Sequence, residues 1–151
     1  MDPDGPSSLF SRRFLIATEH TTLPEQSDVS VPREPLYPSS RDLAIRIAEV
    51  IADTPAQNTV VIDIHHTSTV ADCFVICSGE NERQLRAIHR DVTEQLEEEN
   101  TFPRRIEGTP ASGWILIDYG DVVVHIFDID QRTFYRLEDV WRDAPTLLAI
   151  Q

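Results

Sequence analysis

The sequence predicts an α/β or α+β fold in which helices flank a mixed β-sheet. Two observations indicate this class. Segments with the 3.6-residue period of amphipathic helices alternate with short β-branched runs along most of the chain. Residues 114–127 contain two strands joined by a tight turn, which predicts an antiparallel hairpin within the sheet. The predicted order from residue 40 onward is α-β-β-α-β-β-β-α.

The first half of this order follows from short, clear patterns. Apolar residues recur at helical spacing over about 40–53, and Pro55 lies just past the end. The β-branched run at 60–64 predicts a strand. Residues 72–78 form a nearly continuous apolar run, which is typical of a strand covered on both faces.

A long helix is predicted after the break at Ser78-Gly79. Asn81 and Gln84 have the spacing of a capping box. Its buried stripe comprises Leu85, Ile88, Val92 and Leu96. A short strand is expected near 104–107, followed by a loop over 108–113.

The hairpin carries the candidate binding site. A turn at Tyr119-Gly120 would place Asp118 opposite Asp121 and Trp114 opposite His125. One face is then entirely β-branched and is expected to be core. The other face mixes aromatic and polar side chains, which suits contact with a partner. The predicted partner-binding residues are Trp114, Asp118, Tyr119, Asp121 and His125.

Two interpretations of the Asp118–Asp121 pair stay open. Like charges directly opposite each other are unfavourable unless something compensates. The pair could receive an arginine or lysine from a partner, or one or both carboxylates could accept backbone N–H groups of the turn.

The two ends of the chain have different predicted structures. Residues 131–144 predict a final helix that ends at Pro145. Residues 1–38 hold six of the ten prolines and show no sustained period, so they are expected to be a disordered extension preceding a domain over 39–151. The apolar stretch at 9–16 leaves a short docking segment or an organelle transit peptide as alternatives.

Composition excludes several classes of function. Twenty-six acidic residues against thirteen basic ones, all arginine, give a net charge of −13, which disfavours direct binding to DNA or RNA. No apolar stretch reaches the length of a membrane span. Cys73 and Cys77 do not resemble a secreted disulfide framework, and they are expected to be core residues. The sequence therefore predicts a cytoplasmic protein.

Catalytic and metal-binding patterns are weak. His65 and His66 would point to opposite faces of a strand, so no metal site is expected. A strand, Ser78-Gly79 and a helix also form the triphosphate-holding unit of nucleotidyltransferases, but that chemistry needs paired carboxylates on a following strand. No Asp-x-Asp follows here, so neither a catalytic site nor a cofactor is predicted.

Several blocks of the sequence closely resemble the ribosomal silencing factor family, also called Iojap-like proteins. The blocks are ADCFVI at 71–76, Ser78-Gly79 with Arg83-Gln84, Glu107-Gly108, WILIDYGDVVVHIF at 114–127, and FYRLEDVW at 134–141 followed by Asp143-Ala144-Pro145. The resemblance covers about 41–145, and Cys73 stands where the family often has an aromatic residue.

The resemblance implies a fold similar to nucleotidyltransferases without their catalytic carboxylates. It also implies a factor that is not an enzyme. Such a factor would bind ribosomal protein fourteen of the large subunit, block joining of the small subunit and repress translation, and it would often be a homodimer when free. The alternative is an enzyme of nucleotidyltransferase ancestry that acts on a nucleotide or an RNA end.

Overall fold

A computed structural model describes residues 39–151, so the predicted N-terminal extension lies outside the described residues. The elements are α1 (Ser40–Ala52), β1 (Gln57–Asp63), β2 (Cys73–Gly79), α2 (Glu82–Glu98), β3 (Arg105–Glu107), a 3₁₀ turn (Pro110–Ser112), β4 (Trp114–Asp118), β5 (Val122–Asp128), α3 (Ile129–Tyr135), α4 (Leu137–Val140) and β6 (Thr146–Ile150).

The strands form one mixed six-stranded sheet in the order β3-β4-β5-β2-β1-β6. Strands β2 and β5 pair in parallel, and every other neighbouring pair is antiparallel. The predicted class, a mixed sheet flanked by helices, is confirmed. The parallel pair lies at the centre of the sheet, and its strands are buried along almost their whole length.

Each of the two long helices begins after a capping residue. Ser39 caps α1, and its hydroxyl accepts the N–H of Asp42 at 3.1 Å. Asn81 caps α2 by accepting the N–H of Gln84 at 2.9 Å. The expected capping box is half right, because the Gln84 side chain accepts the N–H of Glu80 instead of that of Asn81. No helix within 39–151 is long and apolar enough to cross a membrane.

Helices α1 and α2 cover one face of the sheet. Eighteen buried residues form this core, including the predicted stripe of α2 and both cysteines. The strand residues on this face are Val61, Cys73, Val75, Cys77, Ile115, Ile117, Val122, Val124 and Ile126. The β-branched hairpin face is therefore core, as predicted.

A second, smaller core lies on the opposite face of the sheet. Its buried members are Ile62, Ile64, Ala71, Phe74, Ile76, Trp114, Leu116, Val123, Phe127 and Leu137. The partly buried Tyr135 and Trp141 bring the segment of α3 and α4 against this core. This second core shows that the sheet is covered on both sides.

The predicted C-terminal helix over 131–144 is wrong in extent. Arg136 adopts a left-handed conformation with φ +47° and separates α3 from α4, because an α-helix cannot continue through that conformation. A further strand, β6, was not predicted. It follows Pro145 and pairs with β1 at the edge of the sheet.

Candidate functional site

The β4–β5 hairpin turns at Gly120-Asp121, one residue later than predicted. Tyr119 and Val122 close the turn through a backbone hydrogen bond of 2.9 Å. Gly120 has φ +94°, and a two-residue hairpin loop favours a glycine at its first position for that reason. Asp118 is consequently opposite Val123 instead of Asp121. Each residue of β4 therefore pairs with a β5 residue two positions later than predicted. Because side chains alternate with a period of two residues, the side chains that share a face are the ones predicted.

Asp118 is a buried residue that caps the turn. Its residue exposure is only 3%, and its Oδ1 accepts the N–H of Gly120 at 2.8 Å. Across the strand pair it faces Arg105, whose Nε lies 3.6 Å from Oδ2. The expected repulsion between Asp118 and Asp121 is absent from this arrangement, and the turn-capping interpretation is confirmed for Asp118.

We expect Asp118→Ala to lower the free energy of unfolding by about 1–2 kcal/mol, because it leaves the buried N–H of Gly120 without its acceptor. Asp121→Ala is the matched control. Its side chain is exposed, so we expect a change within about 0.5 kcal/mol. Urea unfolding of the two variants checks this. Equal losses would show that the carboxylate of Asp118 does not hold the turn.

Trp114 and His125 are both buried, so neither of these two predicted partner-binding side chains is exposed on the described domain. Their exposures are 3% and 0%. The Trp114 Nε1–H donates to Nδ1 of His125 at 3.1 Å, which requires that this nitrogen carry no proton. Trp114 lies opposite Phe127 in the pairing, and its ring is 4.7 Å from the ring of that residue. Two polar atoms are thereby satisfied inside an aromatic cluster.

The segment of α3 and α4 explains part of this burial. The ring of Tyr135 lies 4.7 Å from that of Trp114, and the ring of Trp141 lies 4.9 Å from that of Phe74. Leu137, which lies between Tyr135 and Trp141 in the sequence, is also buried. The mixed aromatic and polar face therefore serves as the base on which a second layer packs.

Tyr119 and Asp121 remain nearer the surface. Asp121 is exposed, and its backbone oxygen accepts the N–H groups of Asp72 and Cys73. Tyr119 is half-buried against the first core. Burial raises the pKa of its hydroxyl, with a further contribution from the Glu97 carboxylate. The five predicted binding residues therefore do not form one exposed cluster.

The structure adds exposed apolar residues that the sequence did not indicate as surface. Phe134 and Val140 fit the expected helical stripe, yet they are 71% and 65% exposed. The Phe134 ring lies edge-on to that of Tyr135 at 4.9 Å. Phe134 is therefore an exposed aromatic side chain supported from below by the buried aromatic cluster.

Arg132 anchors the segment that carries Phe134. Its Nη1 donates to the backbone oxygen of Asn58 at 2.6 Å and to Oγ of Ser78 at 2.8 Å. Its Nε and Nη2 donate to one oxygen of Glu138 at 2.9 and 2.6 Å. One guanidinium thus connects α4 to the ends of β1 and β2.

These contacts also occupy the strand-to-helix unit that resembles a triphosphate site. The Ser78 hydroxyl accepts from Arg132, and the N–H groups of Gln84 and Glu80 are bonded to side chains of the α2 N-terminus. Glu80 and Glu82 add negative charge at the same end of the helix. This arrangement is unfavourable for a phosphate group.

The two cysteines and the two adjacent histidines were the other candidates for catalysis or metal binding, and their surroundings favour neither. Burial raises the pKa of both Cys73 and Cys77 to about 12, so neither thiol is a ready nucleophile. The two histidines follow β1 instead of lying in it, and their rings are 3.6 Å apart, so the opposite-face argument was wrong. Within 39–151, no group of three or more His, Cys, Asp or Glu residues is placed to hold a metal ion.

Asp63 and His65 form a local pair after β1. Burial acts to raise the pKa of the Asp63 carboxyl, but hydrogen bonds from the backbone and ring of His65 outweigh it and hold that pKa below its usual value. Such a side-chain-to-backbone bond stabilises a turn. We assign this pair a structural role.

Comparison with known proteins identifies the family. Residues 37–151 match the family model described as ribosomal silencing factor during starvation. A relative from Halalkalibacterium halodurans named ribosomal silencing factor RsfS is 38% identical over 109 residues, which cover 72% of this chain and 93% of that protein. A Bacillus subtilis protein of the same name is 41% identical over 93 residues, or 62% of this chain and 79% of its own length.

A solved structure supports the same assignment. The crystal structure of a Bacillus halodurans protein superposes with a TM-score of 0.63 at 34% identity, covering 72% of this chain and 99% of that chain. The chain therefore belongs to the family of ribosomal silencing factors.

Proposed function

We propose that this protein binds the large ribosomal subunit through ribosomal protein fourteen of that subunit and blocks joining of the small subunit, which represses translation. The observation that supports this most directly is the family match over residues 37–151. The proposed role is binding and not catalysis, in keeping with relatives that are named as silencing factors. We propose that it acts in the cytoplasm and that free copies form a homodimer.

The charge of the protein supports a basic protein as the partner. The net charge is −13, and the last turn of α2 has no basic residue. Glu94, Glu97 and Glu98 are exposed on that helix. A surface of this kind repels the phosphates of ribosomal RNA and attracts a protein rich in arginine and lysine.

The first test is co-sedimentation of the protein with purified large subunits, followed by a subunit-mixing assay. We expect the protein to pellet with large subunits and to lower the yield of joined ribosomes as its concentration rises. A variant that begins at Ser39 is expected to behave like the full chain, because the family match begins near that residue. Unchanged ribosome yield at excess protein would contradict the proposal.

A second measurement tests the enzymatic alternative. We expect ATP with magnesium to leave the melting temperature unchanged, because the groups near Ser78-Gly79 are already bonded within the chain. A ligand that binds the folded state raises the melting temperature by mass action. A clear rise would favour an enzyme of nucleotidyltransferase ancestry.

A further inference from the structure

We propose that the outer edge of β6 pairs with the same edge of a second copy of the chain, so that the two sheets join around a two-fold axis in the free protein. This inference rests on the homodimer in the proposed function and names the surface that forms it. Strands β1 and β2 separate this edge from the β4–β5 hairpin.

The sheet has two edge strands, β3 and β6, and they differ in length and charge. Strand β3 has three residues, and two of them, Arg105 and Glu107, are charged. Short length and charged side chains are features by which natural proteins discourage pairing at an edge strand. Strand β6 has five residues, Thr-Leu-Leu-Ala-Ile, and none is charged. Within 39–151 it pairs with β1 alone, so its outer backbone groups are open to another strand.

A bulge near the start of β6 leaves the rest of the strand regular. Leu148 pairs with Val61 and Thr146 pairs with Ile62, so Leu147 is an extra residue between the two pairs. The residues after Leu148 pair with β1 without a further shift. Because a bulge disturbs pairing only locally, the last three residues keep the extended geometry that a second strand needs.

The same edge carries apolar side chains that the domain covers incompletely. Leu147 and Leu148 both pack against the first core, yet each is only partly buried. Ile150 is also partly buried, and Ala149 is exposed. A second copy paired with β6 places its own leucines alongside these, which removes apolar surface of both copies from water.

Charge and symmetry favour a second copy over the basic ribosomal partner as the occupant of this edge. A protein rich in arginine and lysine gains no ion pair along β6, because none of its side chains is charged. Antiparallel pairing of identical edges is self-complementary, since each strand supplies both donors and acceptors about a two-fold axis. An uncharged edge also lets two copies of net charge −13 meet without opposed carboxylates at the contact.

The contact is small, and the charge of the whole chain opposes it. Five residues per copy are far fewer than the roughly 20–30 a side of a standard interface, so we expect a dissociation constant on the order of 10–100 μM. Salt screens the repulsion between two acidic copies. Dimerisation is therefore expected to strengthen as salt is raised, whereas binding to a basic partner weakens.

The experiment is sedimentation velocity of the full chain from about 1 to 500 μM at two salt concentrations. We expect Ala149→Asp to weaken dimerisation about fivefold or more, because it places like charges close together in the strand pair. Ala111→Asp is the matched control, because it adds the same charge at an exposed position in the 3₁₀ turn before β4. The control is expected to change the dissociation constant less than about twofold.

Cross-linking provides a second readout that does not depend on an added charge. We expect Ala149→Cys to be joined into dimers by a short bis-maleimide reagent at concentrations where the parent protein dimerises. Ala111→Cys is expected to stay monomeric under the same treatment. The native Cys73 and Cys77 are buried, so they do not compete for the reagent.

The outcomes separate this inference from the proposed binding to large subunits. A parent protein that stays monomeric up to about 500 μM overturns the inference. Dimerisation by Ala149→Asp equal to that of the parent, without cross-linking of Ala149→Cys, overturns it as well. Weaker sedimentation of Ala149→Asp with large subunits, with its dimerisation unchanged, assigns the edge to the ribosomal partner and also overturns the inference. Failure of the parent to sediment with large subunits contradicts the proposed function, while the dimer measurements still decide the role of β6.

Discussion

Replacing Gly113 by alanine is expected to lower the free energy of unfolding by about 3 kcal/mol. Gly113 has φ +80°, a left-handed conformation that costs an alanine about 1 kcal/mol. A β-carbon at this position would lie 2.7 Å from Cγ of Gln131 and would also collide with the carboxylate of Asp128.

The collision matters because both neighbours build the N-terminus of α3. Asp128 caps that helix by accepting the N–H of Gln131 at 2.7 Å, and its own N–H donates to the oxygen of Gly113 at 2.8 Å. Displacing the Asp128 carboxylate loses a cap that typically contributes about 1 kcal/mol.

Gly79→Ala is the control for this prediction. Its φ lies outside the left-handed region, and a β-carbon there would be 3.3 Å from Cβ of Gln84. We expect a loss below about 1 kcal/mol in urea unfolding, because a shift of α2 by a few tenths of an ångström relieves the contact. Equal losses for the two variants would mean that neither the φ of Gly113 nor the cap at Asp128 sets the stability of this region.

The sequence was sufficient to predict which hairpin residues share a face. Alternation along a strand depends only on whether residue numbers are odd or even, so the one-residue error in the turn did not exchange the two faces. The β-branched set, for example Ile117 and Val124, is core as predicted. The turn itself was misplaced because Tyr119-Gly120 was preferred to Gly120-Asp121, although a glycine at the first loop position is the stronger signal.

The burial of the other face could not be predicted from local pattern. A strand with Trp114, Asp118 and His125 on one side looks amphipathic, and polar residues usually indicate solvent. Here the polar atoms find partners within the hairpin, since Trp114 bonds to His125 across the strand pair and Asp118 bonds to Gly120 in the turn. Such pairs depend on the exact register and on the segment that packs above, neither of which is encoded in a single strand.

The C-terminal region shows a second limit of sequence patterns. Phe134, Leu137, Val140 and Trp141 have helical spacing, but the left-handed Arg136 changes the direction of the chain between them. Leu137 is buried, while Phe134 and Val140 are exposed. A non-glycine residue with positive φ has no dependable sequence signal, so the break between α3 and α4 and the strand β6 were missed.

Arg132 is the other residue whose loss we expect to have a large effect. Its side chain is 13% exposed and donates four hydrogen bonds, to Asn58, Ser78 and Glu138. Methionine fills similar space without any donor. Arg132→Met would leave the Glu138 carboxylate and the Asn58 oxygen without this donor, so we expect a loss of about 2–3 kcal/mol. This loss is at the lower end of the usual cost of breaking a buried ion pair, because the Glu138 side chain is 35% exposed.

Arg136→Met is the matched control for this substitution, because Arg136 lies in the same segment and pairs with Asp139 at 3.1 Å while remaining 72% exposed. Exposed pairs contribute little, so we expect a change within about 0.5 kcal/mol. Both residues are unbranched at the β-carbon, so the left-handed conformation of position 136 costs the variant and the parent about the same. The comparison therefore isolates the buried contacts of Arg132.

Tryptophan fluorescence can show which part of the protein unfolds first, in addition to how much stability is lost. Both tryptophans of the chain report on this region, since Trp114 contacts Tyr135 of α3 and Trp141 directly follows α4. In Arg132→Met we expect their emission to shift to longer wavelength at a lower urea concentration than the loss of helical circular dichroism, because α3 and α4 detach before α1 and α2 unfold. Coincident transitions at the parent midpoint would show that Arg132 does not hold this segment.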